Sequence, residues 1–171
     1  SVGGGFLQAG TDLTQTALRS VAVDLGIDEV QIRDDVNVHG RLVEDDIQVT
    51  AHDMDGDGSD DRVDVAGLPF EVTITNSATI INGTNVNLSS DRLTIDGNAG
   101  DDELKAAAGV ENTIAITLNG DAGDDYLSAD AILNGGAGDD LLVGGALDDS
   151  LNGGPGEDTL VGGGGQDTYD G

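Results

Sequence analysis

Residues 135–170 read GGAGDDLLV, GGALDDSLN, GGPGEDTLV and GGGGQDTYD, four nine-residue units that follow one another without a gap. Two more units of the same pattern lie upstream, GNAGDDELK at residues 97–105 and GDAGDDYLS at residues 120–128. A short fixed period is typical of solenoids, in which a unit buries its apolar side only by stacking on its neighbours. The repeats therefore predict an all-β fold of stacked parallel coils.

Each unit has glycine at its first position, aspartate at its sixth and a large side chain at its eighth. Glycines enter positive-φ conformations at little steric cost, so several carbonyl oxygens can turn toward one point. Aspartate adds an anionic oxygen, and calcium prefers about six to eight such oxygens in flexible geometry. A flexible linker, the alternative, has no need for an apolar residue in every unit. We therefore expect calcium to be bound by the sixth-position aspartates and by the turns that begin at the first glycine, namely Asp102, Asp125, Asp140, Asp149, Asp158 and Asp167 with Gly120, Gly135, Gly144, Gly153 and Gly162.

Over Gly120–Gly171, and more weakly from Gly97, the units resemble the RTX or hemolysin-type calcium-binding repeat, GGxGxDxUx, in which U is a large apolar residue. The resemblance implies a right-handed parallel β-roll whose turns alternate between two sides. It also implies that calcium lies between turns two repeats apart. Carried onto this chain, that arrangement pairs Asp140 with Asp158, Asp149 with Asp167, Asp125 with Asp140 across a shortened opposite turn near Ala129-Asp130, and Asp102 with Asp125 across a longer one.

Three residues depart from the repeat pattern. Leu147 occupies a fourth position, where glycine is usual, and we expect its turn to be distorted. Asn98 and Asp121 replace the second glycine, and both residue types tolerate the left-handed backbone better than most others.

Upstream of the repeats, brief strand signals separated by Asn, Gly and Ser run from about Glu71 to Ile95, and we expect solenoid coils without calcium turns there. The predicted division is a β-rich cap region at 1–70 and a β-solenoid at 71–171, with calcium-binding repeats from about 97. Within the cap, Leu13, Ala17, Val21 and Leu25 have helical spacing. The competing interpretation takes Val21, Val23 and Leu25 as an alternating strand.

A second acidic cluster, DMDGDGSDD, occupies residues 53–61. Oxygens at alternate positions, with a glycine that permits a sharp bend, are how a calcium loop begins. The cluster resembles a DxDGDGxxD calcium loop joining two strands, which implies Asp53, Asp55, Asp57 and Asp61 as ligands. The alternative is a solvated acidic turn. His52 adjoins the loop and is either a further ligand or an exposed strand residue.

The composition narrows the functional classes. Asp and Glu number 34 against 6 Lys and Arg, which gives a formal charge of −28. Such a chain repels nucleic acid and anionic membranes and attracts cations. It has no cysteine and no apolar run long enough to span a membrane. We find no catalytic motif, and expect no enzymatic activity in this segment.

The RTX resemblance implies a module that gives calcium-dependent folding and stability to an extracellular or cell-surface protein secreted by a type I system. The chain is expected to be a fragment of that larger protein. Two alternatives remain open: a non-catalytic module of a secreted protease, lipase or alginate epimerase, or a stalk segment of an adhesin or surface-layer protein. Besides calcium, polysaccharide or other domains of the parent protein are possible partners.

Overall fold

The computed structural model describes residues 20–24, 35–40, 44–52, 62–67, 71–75, 80–81, 84–85, 92–112 and 114–171. A short 3₁₀ helix spans Val110–Asn112. The strands within these residues are β1 (Ser20–Asp24), β2 (Asp35–His39), β3 (Asp46–His52), β4 (Arg62–Ala66), β5 (Glu71–Thr75), β6 (Ile80–Ile81), β7 (Thr84–Asn85), β8 (Arg92–Asp96), β9 (Glu103–Ala106), β10 (Ala115–Ala122), β11 (Tyr126–Ser128), β12 (Ile132–Ala137), β13 (Leu141–Val143), β14 (Ser150–Asn152), β15 (Thr159–Val161) and β16 (Thr168–Asp170).

Two sheets form the solenoid. The long sheet has eight strands in the order β1-β5-β4-β3-β9-β11-β13-β15, and the short sheet has six in the order β16-β14-β12-β10-β8-β2. From β8 onward the chain alternates between the short and the long sheet, and every pairing along this part is parallel. The predicted all-β parallel roll is confirmed.

The core between the sheets is built from in-register aliphatic ladders. Leu104, Leu127 and Leu142 are fully buried eighth-position residues at matching places in neighbouring strands of the long sheet. Burying a leucine contributes roughly 1.5–3 kcal/mol, so the ladder stabilises the fold only when coils are stacked. The ladder in the short sheet comprises Val38, Ile95, Leu118, Leu133 and Leu151. Tyr169 follows Leu151 in register, but its side chain is exposed.

The strands before the repeats differ from the expected coils. β2 and β3 do join the solenoid, since they pair in parallel with β8 and β9. The next strands extend the long sheet with a different pairing. β4 pairs antiparallel with β3 and with β5, and β5 pairs in parallel with β1. β6 and β7 form a separate antiparallel pair. The expectation of solenoid coils is therefore wrong for the strands at 71–85, although it holds for β8.

Of the two interpretations of the N-terminal segment, the structure supports the strand over residues 20–24. Ser20–Asp24 is β1 and pairs residue for residue with Glu71–Thr75. The expected helix is wrong for these residues, and its positions at 11–19 and 25–26 lie outside the described residues. No helix in the described part of the chain is long and apolar enough to cross a membrane.

Candidate metal centre in the stacked turns

The turns that connect the two sheets form two stacks. In what we call stack one, the chain passes from the short to the long sheet between Gly40 and Asp45, and at residues 97–102, 120–125, 135–140 and 153–158. The chain returns to the short sheet between β9 and β10, and then at residues 129–131, 144–149 and 162–167; we call these last three turns stack two. Backbone hydrogen bonds join neighbouring turns, for example from the Gly136 N–H to the Gly153 carbonyl and from the Gly164 N–H to the Gly145 carbonyl. Equivalent residues of successive repeats therefore lie directly above one another.

The sixth-position aspartates link the turns within each stack. In stack one, Asp102 donates its N–H to Asp125 Oδ1 at 2.7 Å, and Asp125 donates to Asp140 Oδ1 at 2.8 Å. Asp140 in turn donates to Asp158 Oδ1 at 3.0 Å. In stack two, Asp149 donates to Asp167 Oδ1 at 3.1 Å. The structure thus brings together all four aspartate pairs that the sequence placed between neighbouring turns.

The second carboxylate oxygen of these aspartates turns toward the first glycine of its own repeat. Oδ2 of Asp102, Asp125 and Asp140 is buried and has no hydrogen-bond partner. A methyl group on Gly120 would collide with Asp125 Oδ2 and would lie 2.6 Å from the Gly135 carbonyl oxygen. Gly120 therefore leaves open a pocket bordered by a carboxylate oxygen of its own turn and a carbonyl oxygen of the next turn.

The same pocket recurs along both stacks. A methyl group on Gly97 would approach Asp102 Oδ2 and lie 2.9 Å from the Gly120 carbonyl oxygen. On Gly135 it would approach Asp140 Oδ2 and lie 2.8 Å from the Gly153 carbonyl oxygen. In stack two, Gly144 faces Asp149 Oδ2 and the Gly162 carbonyl oxygen. At the C-terminal turns, Gly153 faces Asp158 and Gly162 faces Asp167, each within its own repeat.

Burial disfavours the ionised form of these carboxyl groups unless a cation lies beside them. The pKa of Asp125 is raised to about 6, chiefly by desolvation and also by the negative charges of Asp140 and Asp102, while the hydrogen bond from the Asp102 N–H opposes the rise. Burial likewise raises the pKa of Asp102, Asp140 and Asp149. A buried charge with an unsatisfied oxygen is costly unless a counter-charge neutralises it. The pockets therefore favour a proton or a cation.

The ligand chemistry selects among cations. The pocket atoms described above are carboxylate and carbonyl oxygens. Within the described residues, no group of three or more His, Cys, Asp or Glu side chains comes together as a metal site. An ion here would consequently depend on backbone carbonyls as well as carboxylates. That donor set suits a hard cation such as calcium, whereas zinc prefers nitrogen and sulfur ligands.

The departures from the repeat pattern have different consequences. Asn98 and Asp121 adopt φ of 78° and 74°, so both take the left-handed conformation that the missing glycine would have supplied. At the fourth position, Gly123 and Gly138 have φ of 148° and 147°, whereas Leu147 does not adopt positive φ. The Leu147 side chain is half exposed. The turn at 144–149 therefore lacks positive φ at its fourth position, as does the turn at 153–158, whose fourth residue is Gly156.

The shortened opposite turn lies where the sequence placed it, at residues 129–131 between β11 and β12. Asp130 Oδ1 accepts hydrogen bonds from the N–H groups of Ala146 at 2.5 Å and Leu147 at 2.9 Å. The Ala131 N–H donates to Asp149 Oδ1 at 2.7 Å. This short turn thus caps stack two.

Sequence reasoning overlooked the acidic residue at the fifth position. Asp124 donates its N–H to Asp101 Oδ1 at 3.0 Å, and Asp139 donates to Asp124 Oδ1 at 2.9 Å. In stack two, Gln166 donates to Asp148 Oδ1 at 2.7 Å. These exposed carboxylates fasten successive turns on their outer side. The signal was present, because aspartate precedes the sixth-position aspartate in four of the six repeats.

In the second acidic cluster, Asp53, Asp55, Asp57 and Asp61 lie outside the described residues. Its flanks are the expected strands: β3 and β4 are antiparallel, and His52 lies opposite Arg62. His52 Nε2 lies 3.4 Å from Asp64 Oδ2, which also pairs with Arg62 at 2.6 Å. Ligation by His52 and by the loop aspartates stays a prediction.

Comparison with protein families agrees with the geometry. The family model described as the RTX calcium-binding nonapeptide repeat matches four copies, over residues 94–110, 117–131 and 134–169. No curated protein and no solved structure matches the chain significantly. Repeats of this family are in general non-catalytic calcium-binding modules, typically found in secreted proteins. Residues 94–110, 117–131 and 134–169 of this chain therefore match RTX repeats, and the match supports calcium as their ligand.

Proposed function

We propose that the stacked turns hold rows of calcium ions and that calcium binding drives folding of the repeat segment. The observation that carries the proposal is the set of buried Oδ2 atoms without hydrogen-bond partners at Asp102, Asp125 and Asp140. Each faces the carbonyl oxygen of the next turn in its stack. A calcium ion would supply the positive charge and the oxygen coordination that these atoms lack.

The residues that would hold calcium follow from the pockets. In stack one they are the sixth-position aspartates Asp102, Asp125, Asp140 and Asp158, with carbonyl groups of Gly120, Gly135 and Gly153. In stack two they are Asp149 and Asp167 with the carbonyl group of Gly162. Gly144 would keep its pocket open, because any side chain there would occupy the space between Asp149 Oδ2 and the Gly162 carbonyl oxygen.

Folding should depend on calcium because the fold gathers like charges. The formal charge is −28, and the buried aspartates of one stack lie in successive turns. Without a cation their mutual repulsion and desolvation oppose the gain from burying the leucine ladders. Because a site assembled from several turns does not exist in the unfolded chain, calcium binding energy becomes folding energy.

This coupling suits a module of a protein exported by a type I system, as the family resemblance implies. In the cytosol, where free calcium is scarce, the repeats would remain extended and able to pass through a secretion channel. Outside the cell, calcium would fold and stabilise them. The role proposed for this segment is structural and extracellular, with no catalytic step.

Far-UV circular dichroism of the full chain tests the folding proposal. We expect a spectrum close to random coil in excess chelator, a β-rich spectrum in millimolar calcium, and much weaker recovery in magnesium, which sheds its water reluctantly. A fully folded and unchanged spectrum in excess chelator would contradict calcium-dependent folding.

A pair of matched variants tests the assigned ligands. Asp158→Asn preserves size and turn tendency but removes the anion from a sixth position, whereas Asp170→Asn removes the same charge from an exposed strand residue. We expect lower calcium affinity only for Asp158→Asn, with the calcium-saturated spectrum retained in both. Equal calcium affinities for the two variants would show that the nine-residue register is wrong.

A further inference from the structure

A turn outside the matched repeats lies at the N-terminal end of stack one. Residues 40–48 read GRLVEDDIQ, with glycine at the first position, aspartate at the sixth and Ile47 at the eighth. The segment falls before the region that the family model matches, and its second and fourth residues, Arg41 and Val43, are not glycine. Nevertheless the segment connects a strand of the short sheet, β2, to a strand of the long sheet, β3. The other turns of stack one make the same kind of connection.

The hydrogen bonds of this turn repeat those of the RTX turns. Asp45 donates its N–H to Asp102 Oδ1 at 2.6 Å, as Asp102 donates to Asp125 Oδ1 at 2.7 Å. The Asp45 carbonyl oxygen accepts from the Glu103 N–H at 2.7 Å, as that of Asp102 accepts from the Tyr126 N–H at 2.8 Å. The turn therefore has the same place in the stack as a repeat turn.

Packing beneath the turn agrees with this position. Ile47 is fully buried and lies opposite Leu104, the eighth-position residue of the first RTX repeat. It therefore extends the aliphatic ladder of the long sheet by one coil, even though β8 and β9 come about fifty residues later in the chain.

The pocket of the RTX turns is present as well. A methyl group on Gly40 would lie 2.8 Å from Asp45 Oδ2 and 2.8 Å from the Gly97 carbonyl oxygen. Asp45 is 2% exposed. Asp102, the next aspartate in the stack, is also 2% exposed, and its Oδ2 has no hydrogen-bond partner. That oxygen lies beside Gly97, the residue whose carbonyl oxygen faces Gly40.

We infer that a further calcium ion binds beside Gly40, held by the Asp45 carboxylate and the Gly97 carbonyl group against Asp102, and that this ion fastens β2 and β3 to the RTX repeats. The inference rests on the proposed function of the repeat turns. The Gly40 carbonyl oxygen already accepts a hydrogen bond from Asn98 Nδ2 at 3.0 Å. Arg41 and Val43 replace the second and fourth glycines of the repeat, so this site should bind calcium more weakly than the sites between consecutive RTX turns.

Hydrogen exchange of the full-length chain, followed by mass spectrometry during a calcium titration, resolves the site. In the wild type, peptides covering residues 35–49 should become protected at higher calcium than peptides covering 120–161. Asp45→Asn should abolish the calcium-dependent protection of 35–49 and lower the bound calcium by about one ion, with 120–161 unchanged. Gly40→Ala should do the same, because its methyl group fills the pocket.

Asp46→Asn is the matched control, since Asp46 is exposed and its removal changes the net charge equally. If Asp45→Asn and Asp46→Asn show the same calcium-dependent protection of residues 35–49 and bind the same number of calcium ions, calcium does not bind at Asp45. Wild-type protection of 35–49 that is equal in chelator and in calcium would also overturn it, and this readout needs no variant to fold. Absence of calcium-dependent protection at 120–161 would instead refute the proposed function of the repeats.

Discussion

Acidification in the absence of calcium should stabilise this fold. The folded-state pKa of Asp125 is about 6, raised from an ordinary value of 3.8 chiefly by burial. A carboxyl with a raised folded-state pKa stabilises the fold while protonated. That stabilisation is complete below the unfolded pKa and is lost as the pH rises through the folded pKa. Protons should therefore substitute in part for calcium between about pH 4 and pH 6, because either neutralises the buried carboxylate.

The size of the effect follows from the two pKa values of Asp125. At about pH 5 the folded carboxyl is mostly protonated, whereas the unfolded carboxyl is mostly ionised, a difference worth roughly 1–2 kcal/mol. Solvent screening reduces this contribution, so we expect about 1 kcal/mol of added stability on going from about pH 7.5 to pH 5. The raised pKa values of Asp102, Asp140 and Asp149 act in the same direction.

Urea unfolding in excess chelator, followed by far-UV circular dichroism at the two pH values, measures this gain. If the calcium-free chain is unfolded in buffer, a titration with the osmolyte trimethylamine N-oxide brings it into the folding transition. Both pH values stay above the isoelectric point of about 4.1. Asp125→Asn should lose about 1 kcal/mol of the acid gain because asparagine does not titrate, while Asp170→Asn should retain it. No gain at pH 5, or equal gains in both variants, would refute this account of the buried carboxylates.

Two further predictions concern the core and the second acidic cluster. With calcium bound, Leu142→Ala should cost about 2–5 kcal/mol of unfolding free energy, because it opens a cavity in the ladder. Leu141→Ala, at a 38% exposed position, should cost less than about 1 kcal/mol. Equal losses in urea unfolding would show that Leu142 is not the buried residue of the pair. In the full-length chain, Asp55→Ala should remove one calcium ion from a calorimetric titration without reducing calcium-dependent protection of residues 120–161, and unchanged stoichiometry would identify residues 53–61 as a solvated turn.

The repeat register could be predicted from sequence because the turn and the strand of each coil both have characteristic residues. Glycine at the first position and aspartate at the sixth mark the turns, and a large residue at the eighth marks the buried side of the strand. Leu104, Leu127 and Leu142 accordingly occupy the ladder that their spacing predicted. Stacking then follows, because no unit can cover its own apolar side chain.

The N-terminal strands were harder to predict because their local signals do not specify partners. Alternating residues at 71–75 predict a strand, but the same alternation suits parallel and antiparallel neighbours. In the segment at 20–24, Val21 fits both helical and strand spacing. The structure has a strand there, and this strand pairs with β5, which is distant in sequence. The turn at 40–45 was overlooked because only the first, sixth and eighth positions retain the repeat pattern.

The hydrogen-bond pattern explains why the calcium sites of one stack should act together. Within stack one, Oδ1 of Asp125 accepts the N–H of the preceding turn, while its Oδ2 borders the pocket shared with the following turn. An ion that orients the Asp125 carboxylate therefore also fixes the backbone of Asp102, whose own Oδ2 borders the neighbouring pocket beside Gly97. Stack two is capped by the short turn at 129–131, so the described structure offers fewer successive pockets on that side. Cooperative binding should accordingly be stronger along stack one, where the turns from 97–102 to 153–158 form an uninterrupted series.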